Sequence, residues 1–246
     1  MKTLTRKEQN FLNREKELIA LAMEIMHKDG VSNLTMDKLT AQSDFSKGTI
    51  YNHFSCKEDI LSAISITSLA ELNPLFSRAV RFKGTTRERL LAVNFAYMLK
   101  AKLNPEQFMC VLSCKTSSVT EKASKKRRQL SIDKENEILS ILNQLVKEAE
   151  MVGELVINPS QNSQLITFCN WSMSFGTLAL LMHVEDSQVT KSLDLQEAFL
   201  SNINITLDGL GWKPLSSQWD YNDTIKRIEK EIFSAELQLI SNLDLS

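Results

Sequence analysis

The chain has 246 residues and is 43% hydrophobic, so it is long enough to bury one large core or two small ones. Only 7 glycines and 4 prolines interrupt it, a composition typical of mostly helical proteins. Its formal net charge of −1 excludes a binder that relies on overall positive charge, so any nucleic-acid site must depend on where the charges lie.

Three helices are predicted in the first 60 residues. Residues 14–29 carry apolar side chains at helical spacing, and Gly30 ends this helix. Thr35 is expected to cap a short helix that runs to about Gln42. After a turn at 43–45, Ser46 caps another short helix that ends near His53. Two short helices joined by a tight turn and packed on a longer one predict a helix-turn-helix.

The rest of the chain is also predicted to be helical, because no period-2 strand pattern and no repeat are visible. Ser55 to Glu58 has capping-box spacing and opens a fourth helix at once. Pro74 is expected to end or kink that helix. Further helices are predicted to start at the capping box of Thr85 and at Asn104-Pro105. The remaining predicted helices are a long one over 120–151, an apolar one over 159–183 opened by Asn158-Pro159, one from Asp194 to about Gly209, and a last one over 220–241. The fold class is therefore all-α.

The segments 159–183 and 194–208 are the predicted subunit interface. The first is apolar on more than one side, so it needs partners on several sides. Symmetric dimers are common, and helix-turn-helix proteins usually bind DNA as dimers. The alternative is that both segments are central helices of a monomeric bundle.

Residues 19–61, IALAMEIMHKDGVSNLTMDKLTAQSDFSKGTIYNHFSCKEDIL, resemble the DNA-binding domain of the tetracycline-repressor (TetR/AcrR) family of bacterial transcriptional regulators. The matching features are Gly30, Thr35, the string SKGTIYxHF at 46–54 and KEDIL at 57–61. The resemblance implies a DNA-binding domain at 1–60 and an effector-binding and dimerisation domain at 61–246. It also implies a homodimeric repressor that a small effector releases from its operator.

The DNA-facing residues are predicted from this resemblance and from their chemistry. Thr35, Ser46 and Gly48 suit phosphate contacts, since they offer hydroxyls, helix amides or close backbone approach. Lys47 and Lys57 place positive charge at the two ends of the helix 46–53. The side chains expected to reach into the major groove are Thr49, Tyr51, Asn52 and His53. The alternative for Tyr51 and His53 is packing at the end of the helix.

Two further segments of the chain, residues 1–16 and 121–130, are rich in Lys and Arg. Residues 1–16 hold five Lys and Arg against two Glu, so an N-terminal arm is a candidate for phosphate or minor-groove contacts. Residues 1–60 as a whole balance nine Lys and Arg against nine Asp and Glu. The run EKASKKRRQL at 121–130 is interpreted as a solvated helix face.

An effector pocket is implied only by the resemblance. The candidate residues are aromatic and methionine side chains at helical spacing with one polar contact: Phe95, Met98, Phe108, Met109, Phe168, Trp171, Phe175, Met182 and His183. Few charges lie among them, which favours an apolar or amphipathic effector. The alternative is that they are ordinary core residues.

Other classes of site and protein are not favoured. The first twenty residues lack an unbroken apolar segment of the signal-peptide kind, and the longest apolar run, around GTLALLM, is too short to cross a membrane. The cysteines lack framework spacing, so we expect a cytoplasmic protein with no membrane partner. Cys110 and Cys114 share a helix face, where they are either a redox or soft-metal site or, as we favour, buried thiols.

No catalytic motif is apparent. The sequence has no P-loop and no HExxH, and the G-x-G at 209–211 follows a helix, so no enzyme activity, cofactor or metal is predicted. A helical adaptor without a DNA role is the remaining alternative.

Overall fold

The computed structural model describes residues 5–158, 162–184 and 187–243, and within these ranges the chain is helical with no strand, which confirms the all-α prediction. Twelve α-helices are described: α1 Arg6–Asp29, α2 Met36–Gln42, α3 Lys47–His53, α4 Lys57–Ala79, α5 Thr86–Leu103, α6 Pro105–Cys114, α7 Ser117–Lys122, α8 Lys125–Met151, α9 Ser163–His183, α10 Leu195–Gly209, α11 Tyr221–Glu231 and α12 Ser234–Leu243. A short 3-10 turn, Val31–Asn33, links α1 to α2.

The chain divides into two compact units. The first, which we call the reader unit, consists of Met1–Leu69 and Glu106–Lys134. The second, the C-terminal unit, consists of Ala70–Pro105 and Glu135–Ser246. Residues 106–134 therefore pack with the N-terminal segment, although the sequence places them well beyond the predicted boundary at residue 60.

The core of the reader unit is built by α1, α2, α3 and α4 together with α6 and α7. Its buried side chains include Leu18, Ile50 and Phe54, and Cys110 and Cys114 lie in the same cluster. The Cys114 thiol donates to the carbonyl oxygen of Leu61 at 3.1 Å. The hydrogen bond with Cys110 and burial both raise the pKa of the Cys114 thiol, which keeps it neutral. No group of three or more metal-ligating side chains occurs within the described ranges.

Several predicted helix boundaries are confirmed, because they depend on local caps. The Thr35 hydroxyl accepts from the amide of Lys38 at 3.1 Å, and Thr85 forms a complete capping box with Glu88. Asp194 caps α10 as predicted. The predicted start at Asn158-Pro159 falls partly outside the described residues, and α9 is capped by Asn162.

Other boundaries differ from the prediction. Helix α1 begins at Arg6 rather than near residue 14, because Thr5 and Glu8 form a capping box. Pro74 does not end α4, which continues to Ala79 with Leu72 and Phe76 buried, so packing outweighs the lost backbone hydrogen bond. At Ser55 the predicted capping box is absent, and the Asp59 carboxylate accepts from the Ser55 amide at 3.4 Å.

Two long predicted helices are each broken into two. The helix predicted over 120–151 is interrupted at Ala123, which has an extended backbone, and Ser124 accepts from the amide of Arg127 at 3.3 Å to begin α8. The helix predicted over 220–241 is interrupted at Ile232 and Phe233, and the Phe233 side chain is fully buried.

Helices α4 and α9 are long and apolar enough to cross a membrane by length and composition alone. Core helices of water-soluble proteins meet the same criterion, and half of the α4 segment is buried within the protein. Helix α9 is less buried, with 39% of its apolar segment inside the protein.

Candidate nucleic-acid interface

Helices α2 and α3 and the turn between them form the predicted helix-turn-helix. The turn is closed by a hydrogen bond in which the Phe45 amide donates to the Ser43 hydroxyl at 3.1 Å. Ser46 caps α3, accepting from the Thr49 amide at 3.2 Å, and its hydroxyl lies 2.9 Å from that of Thr49. Each element is thus set by short polar residues at the positions that the sequence indicated.

Helix α3, the reader helix, has one buried and one exposed face. Ile50 and Phe54, the residue directly after the helix, have no solvent exposure and anchor α3 to the core. The opposite face exposes polar and aromatic groups to solvent: Ser46, Lys47, Gly48, Tyr51 and Asn52, with Thr49 partly exposed. An exposed row of hydroxyl, ammonium, phenol and amide groups can contact phosphate oxygens and base edges.

Lys47 and Tyr51 lie together on this exposed face. The Lys47 ammonium is 5.7 Å from the centroid of the Tyr51 ring, and the Tyr51 side chain is 42% exposed. The same ammonium is 4.0 Å from a carboxylate oxygen of Asp37, and both side chains are well exposed. Such an exposed ion pair is weak, so Lys47 can exchange it for a phosphate.

His53 does not belong to the exposed face, which corrects its assignment as a groove contact. It is 6% exposed, and its ring stacks on that of Phe11 with centroids 4.0 Å apart. Its Nδ1 lies 3.6 Å from a carboxylate oxygen of Glu15. The last residue of α3 turns inward because the helix ends there against α1, so His53 is a packing residue.

Lys57 begins α4, and Thr35 caps α2. The Lys57 ammonium donates to the carbonyl oxygens of Val31 and Ser32, at 2.8 and 3.2 Å, so it closes the loop before α2. Thr35 is exposed at the start of α2, where its hydroxyl already serves as the cap. Both remain candidate phosphate contacts, but Lys57 would share its ammonium with the loop.

Gly48 offers a test that separates binding from stability. A Cβ atom at this position would meet nothing within 4 Å, so Gly48→Ala is expected to leave stability unchanged or to raise it by up to about 1 kcal/mol. We expect the same variant to weaken DNA binding about tenfold, because the methyl group would hold the backbone away from phosphate. Thermal melts and binding titrations of both proteins measure the two effects.

The matched control is Gly209→Ala at the end of α10, where a Cβ atom also meets nothing within 4 Å. It is expected to change DNA binding by less than about twofold. Unchanged binding by Gly48→Ala would remove Gly48 from the interface.

The two basic segments are placed differently from the prediction. Residues 6–16 are the first turns of α1 and not an extended arm, while Lys2 lies outside the described residues. The segment 121–130 is not wholly a solvated face, because the Arg127 side chain is only 13% exposed and contacts α1, α3 and α4. Sequence reasoning missed this role, since the acidic partners lie far away in the chain.

The nine predicted effector residues are divided between the two units. Phe108 and Met109 belong to the reader unit, and the other seven to the C-terminal unit. Phe95 and Met98 are fully buried, while Phe168 and Trp171 are 57% and 38% exposed. Rings of Phe168, Trp171 and Phe175 follow one another along α9 with centroid distances of 6.5 and 6.0 Å.

A cavity of about 530 Å³ lies within the C-terminal unit, and none of the nine residues lines it. Its walls come from α5, α10, the loop before α11 and the first turns of α11, and they include Leu91, Leu200, Asn204, Trp219 and Tyr221. The sequence signal for this cavity is the polar run SSQWD at 216–220 between two helices, which lies apart from the predicted pocket residues.

Helix α9 buries both polar and apolar side chains and leaves several large apolar ones exposed. Asn170 and Ser174 are buried and hydrogen bonded to Asn94 of α5, at 2.9 Å between the two amides and 2.6 Å from the serine hydroxyl. The exposed face of the same helix carries four large apolar side chains: Leu165, Phe168, Trp171 and Leu180. We call these four residues the α9 apolar face.

Comparison with known proteins agrees with this architecture. Residues 18–64 match the family described as bacterial regulatory proteins, tetR family. No curated protein sequence matches the chain. Among solved structures, a tetR-family regulatory protein from Rhodococcus RHA1 has a TM-score of 0.62 at 16% identity, over 80% of this chain and 97% of that one.

Two further structures are regulators named FadR, of which the first is described as a fatty acid degradation regulator. FadR from Bacillus halodurans has a TM-score of 0.62 at 15% identity, covering 85% of this chain and 98% of that one. FadR from Bacillus subtilis, solved in complex with stearoyl-CoA, has a TM-score of 0.61 at 20% identity over 79% and 98%. At these identities the likeness is one of fold.

The chain has the fold of the TetR-family transcriptional regulators, and its residues 18–64 match the tetR-family domain.

Proposed function

We propose that the protein is a cytoplasmic homodimeric repressor that binds operator DNA through α3 and leaves it when a small effector binds. The observation that carries this proposal is the exposed polar face of the reader helix. Lys47, Tyr51 and Asn52 are exposed there although α3 is anchored by fully buried Ile50 and Phe54. A rigidly held helix with unburied polar groups at successive positions is suited to reading a major groove.

The α9 apolar face supports the dimer. Four large apolar side chains are exposed on α9, in addition to the apolar residues Ile166 and Leu178 that the same helix buries. Exposed apolar side chains grouped on one helix are typical of an interaction surface. A second copy of α9 would cover these side chains in a symmetric interface, as in most homodimers. Two copies of α3 per assembly would then contact two half-sites.

The effector is proposed to be apolar or amphipathic. Phe95, Met98 and Phe175 are buried apolar side chains of the C-terminal unit, and Met182 and His183 lie at the end of α9. The complex of Bacillus subtilis FadR with stearoyl-CoA, a molecule with one apolar and one polar end, shows such a ligand on this fold. Binding that favours a conformation unable to hold DNA would lower affinity through linkage.

Stearoyl-CoA is therefore the first effector probe. At about 100 times its Kd it is expected to raise the Tm of the protein by about 5 °C or more, because it binds only the folded state. The same concentration should release operator DNA in a binding titration. A melting curve and a DNA complex that both stay unchanged would remove this class of effector.

The proposed DNA function is tested by an electrophoretic mobility shift with DNA flanking the protein's own gene. We expect a discrete complex that survives excess unrelated DNA and weakens as salt rises, since phosphate contacts release counterions. Equal competition by unrelated DNA would instead favour the helical-adaptor alternative.

A further inference from the structure

Arg127, at the start of α8, lies at the C-terminal end of the reader helix. One guanidinium nitrogen donates to the carbonyl oxygen of His53 at 3.1 Å, and another donates to a carboxylate oxygen of Glu15 at 3.2 Å. Its Nε is 3.2 Å from a carboxylate oxygen of Asp59, and the guanidinium carbon lies 4.8 Å from the centroid of the Phe54 ring. A single side chain thus joins α1, α3 and α4.

These contacts are largely shielded from water. The side chains of Arg127 and Asp59 are 13% and 6% exposed, so the pair is screened little by solvent. Asp59 is held in turn by the amide of Ser124, at 3.2 Å, and that residue also caps α8. The segment that presents Arg127 is therefore tied to the helix that follows α3.

The hydrogen bond from Arg127 to the His53 carbonyl stabilises the C-terminal end of α3. The last carbonyl groups of a helix have no partner within it, and a cation is favourable at that end because of the helix dipole. Helix α3 has only seven residues, so it cannot keep its conformation without tertiary contacts. Arg127 satisfies its terminal carbonyl, while Phe11 stacks on the His53 ring from the other side.

We propose that Arg127 is a positioning residue for the reader helix, so that the DNA-binding machinery includes a side chain 74 residues beyond the helix it orients. The inference rests on the proposed DNA function. Arg127 acts through α3 and does not itself contact DNA. Its removal leaves the buried Asp59 carboxylate without its cation and frees the end of α3.

The test compares Arg127→Gln with Lys126→Gln in the full-length protein. Each variant removes one positive charge from the same segment, but Lys126 is exposed. With the DNA fragment that the wild type shifts, we expect Arg127→Gln to raise Kd about tenfold or more and Lys126→Gln to change it by less than about twofold. The slope of log Kd against log salt should be the same for Arg127→Gln and the wild type, because no phosphate contact is lost.

Two results would overturn the inference. Unchanged affinity of Arg127→Gln would show that α3 is positioned without Arg127. A salt slope reduced by about 1 would show that Arg127 contacts a phosphate directly.

Hydrogen exchange of the free protein provides a readout that does not depend on DNA. Amides of residues 46–54 should exchange faster in Arg127→Gln than in the wild type, with the rest of the reader unit unchanged. Equal exchange at 46–54 in the two proteins would contradict the inference, whether or not the wild type binds DNA. Absence of DNA binding by the wild type would instead contradict the proposed function.

If Arg127→Gln unfolds the whole reader unit, the milder variant Glu15→Gln tests the positioning role of Arg127. It removes the charge of one partner of Arg127 and leaves Asp59 paired. A folded Glu15→Gln protein is expected to lose several-fold in DNA affinity with faster exchange at 46–54. Wild-type behaviour in both measurements would contradict the positioning role.

Discussion

Replacing Lys47 and Tyr51 together with Ala is expected to raise the Kd for operator DNA by about 100-fold, while the Tm changes little. Both side chains are exposed on α3, so their removal opens no cavity and breaks only a weak ion pair. On DNA, each is expected to make a contact worth about 1–3 kcal/mol. Fluorescence anisotropy titrations and thermal melts of the same preparations measure the two quantities.

The control for this variant is Lys191→Ala with Leu193→Ala in the C-terminal unit. It also removes one positive charge and one exposed side chain, and it is expected to leave Kd and Tm unchanged. If the double variant at 47 and 51 retained wild-type affinity, α3 would not be the reader helix.

Phe168→Glu is expected to convert the proposed dimer to monomers and thereby abolish operator binding at concentrations where the wild type is bound. Phe168 is 57% exposed in one chain, so the substitution costs the monomer little. Across a symmetric interface it buries two unpaired carboxylates, which should raise the dimer Kd by about 100-fold or more. Sedimentation velocity at micromolar protein measures the change.

Val156→Glu serves as the matched control, since Val156 is an exposed apolar residue outside the α9 apolar face. It should remain dimeric and bind DNA. A wild-type protein that sediments as a monomer, or a Phe168→Glu protein that stays dimeric, would show that α9 is not the interface.

The features that could be predicted from the sequence are those with local causes. Thr35, Ser46 and Thr85 cap their helices through residues three positions away, so the pattern itself contains the interaction. The exposed positions of α3 were predicted from the family resemblance and from the chemistry of their side chains, and the structure confirms the exposure of Lys47, Tyr51 and Asn52.

Features that depend on distant residues were not predictable in this way. His53 is buried because Phe11 and Glu15 of α1 cover it, and Arg127 finds two of its partners, Glu15 and His53, 112 and 74 positions earlier in the chain. Continuation of α4 past Pro74 likewise depends on packing in the folded protein.

The same limit applies to the C-terminal unit. Aromatic and methionine residues at helical spacing could equally be core, pocket or surface, and the structure places Phe95 in the core and Phe168 on the surface. The cavity is formed where the loop before α11 meets α5 and α10, which no single segment specifies.

Hydroxyl-radical footprinting of the full-length protein on the DNA that it shifts tests the central claim most directly. Two copies of α3 in successive major grooves would protect two patches whose centres lie about 10 base pairs, or a small multiple of that, apart on one face of the duplex. The protected patches should be absent with the variant that lacks Lys47 and Tyr51. A single protected patch, or the same footprint with that variant, would contradict the account.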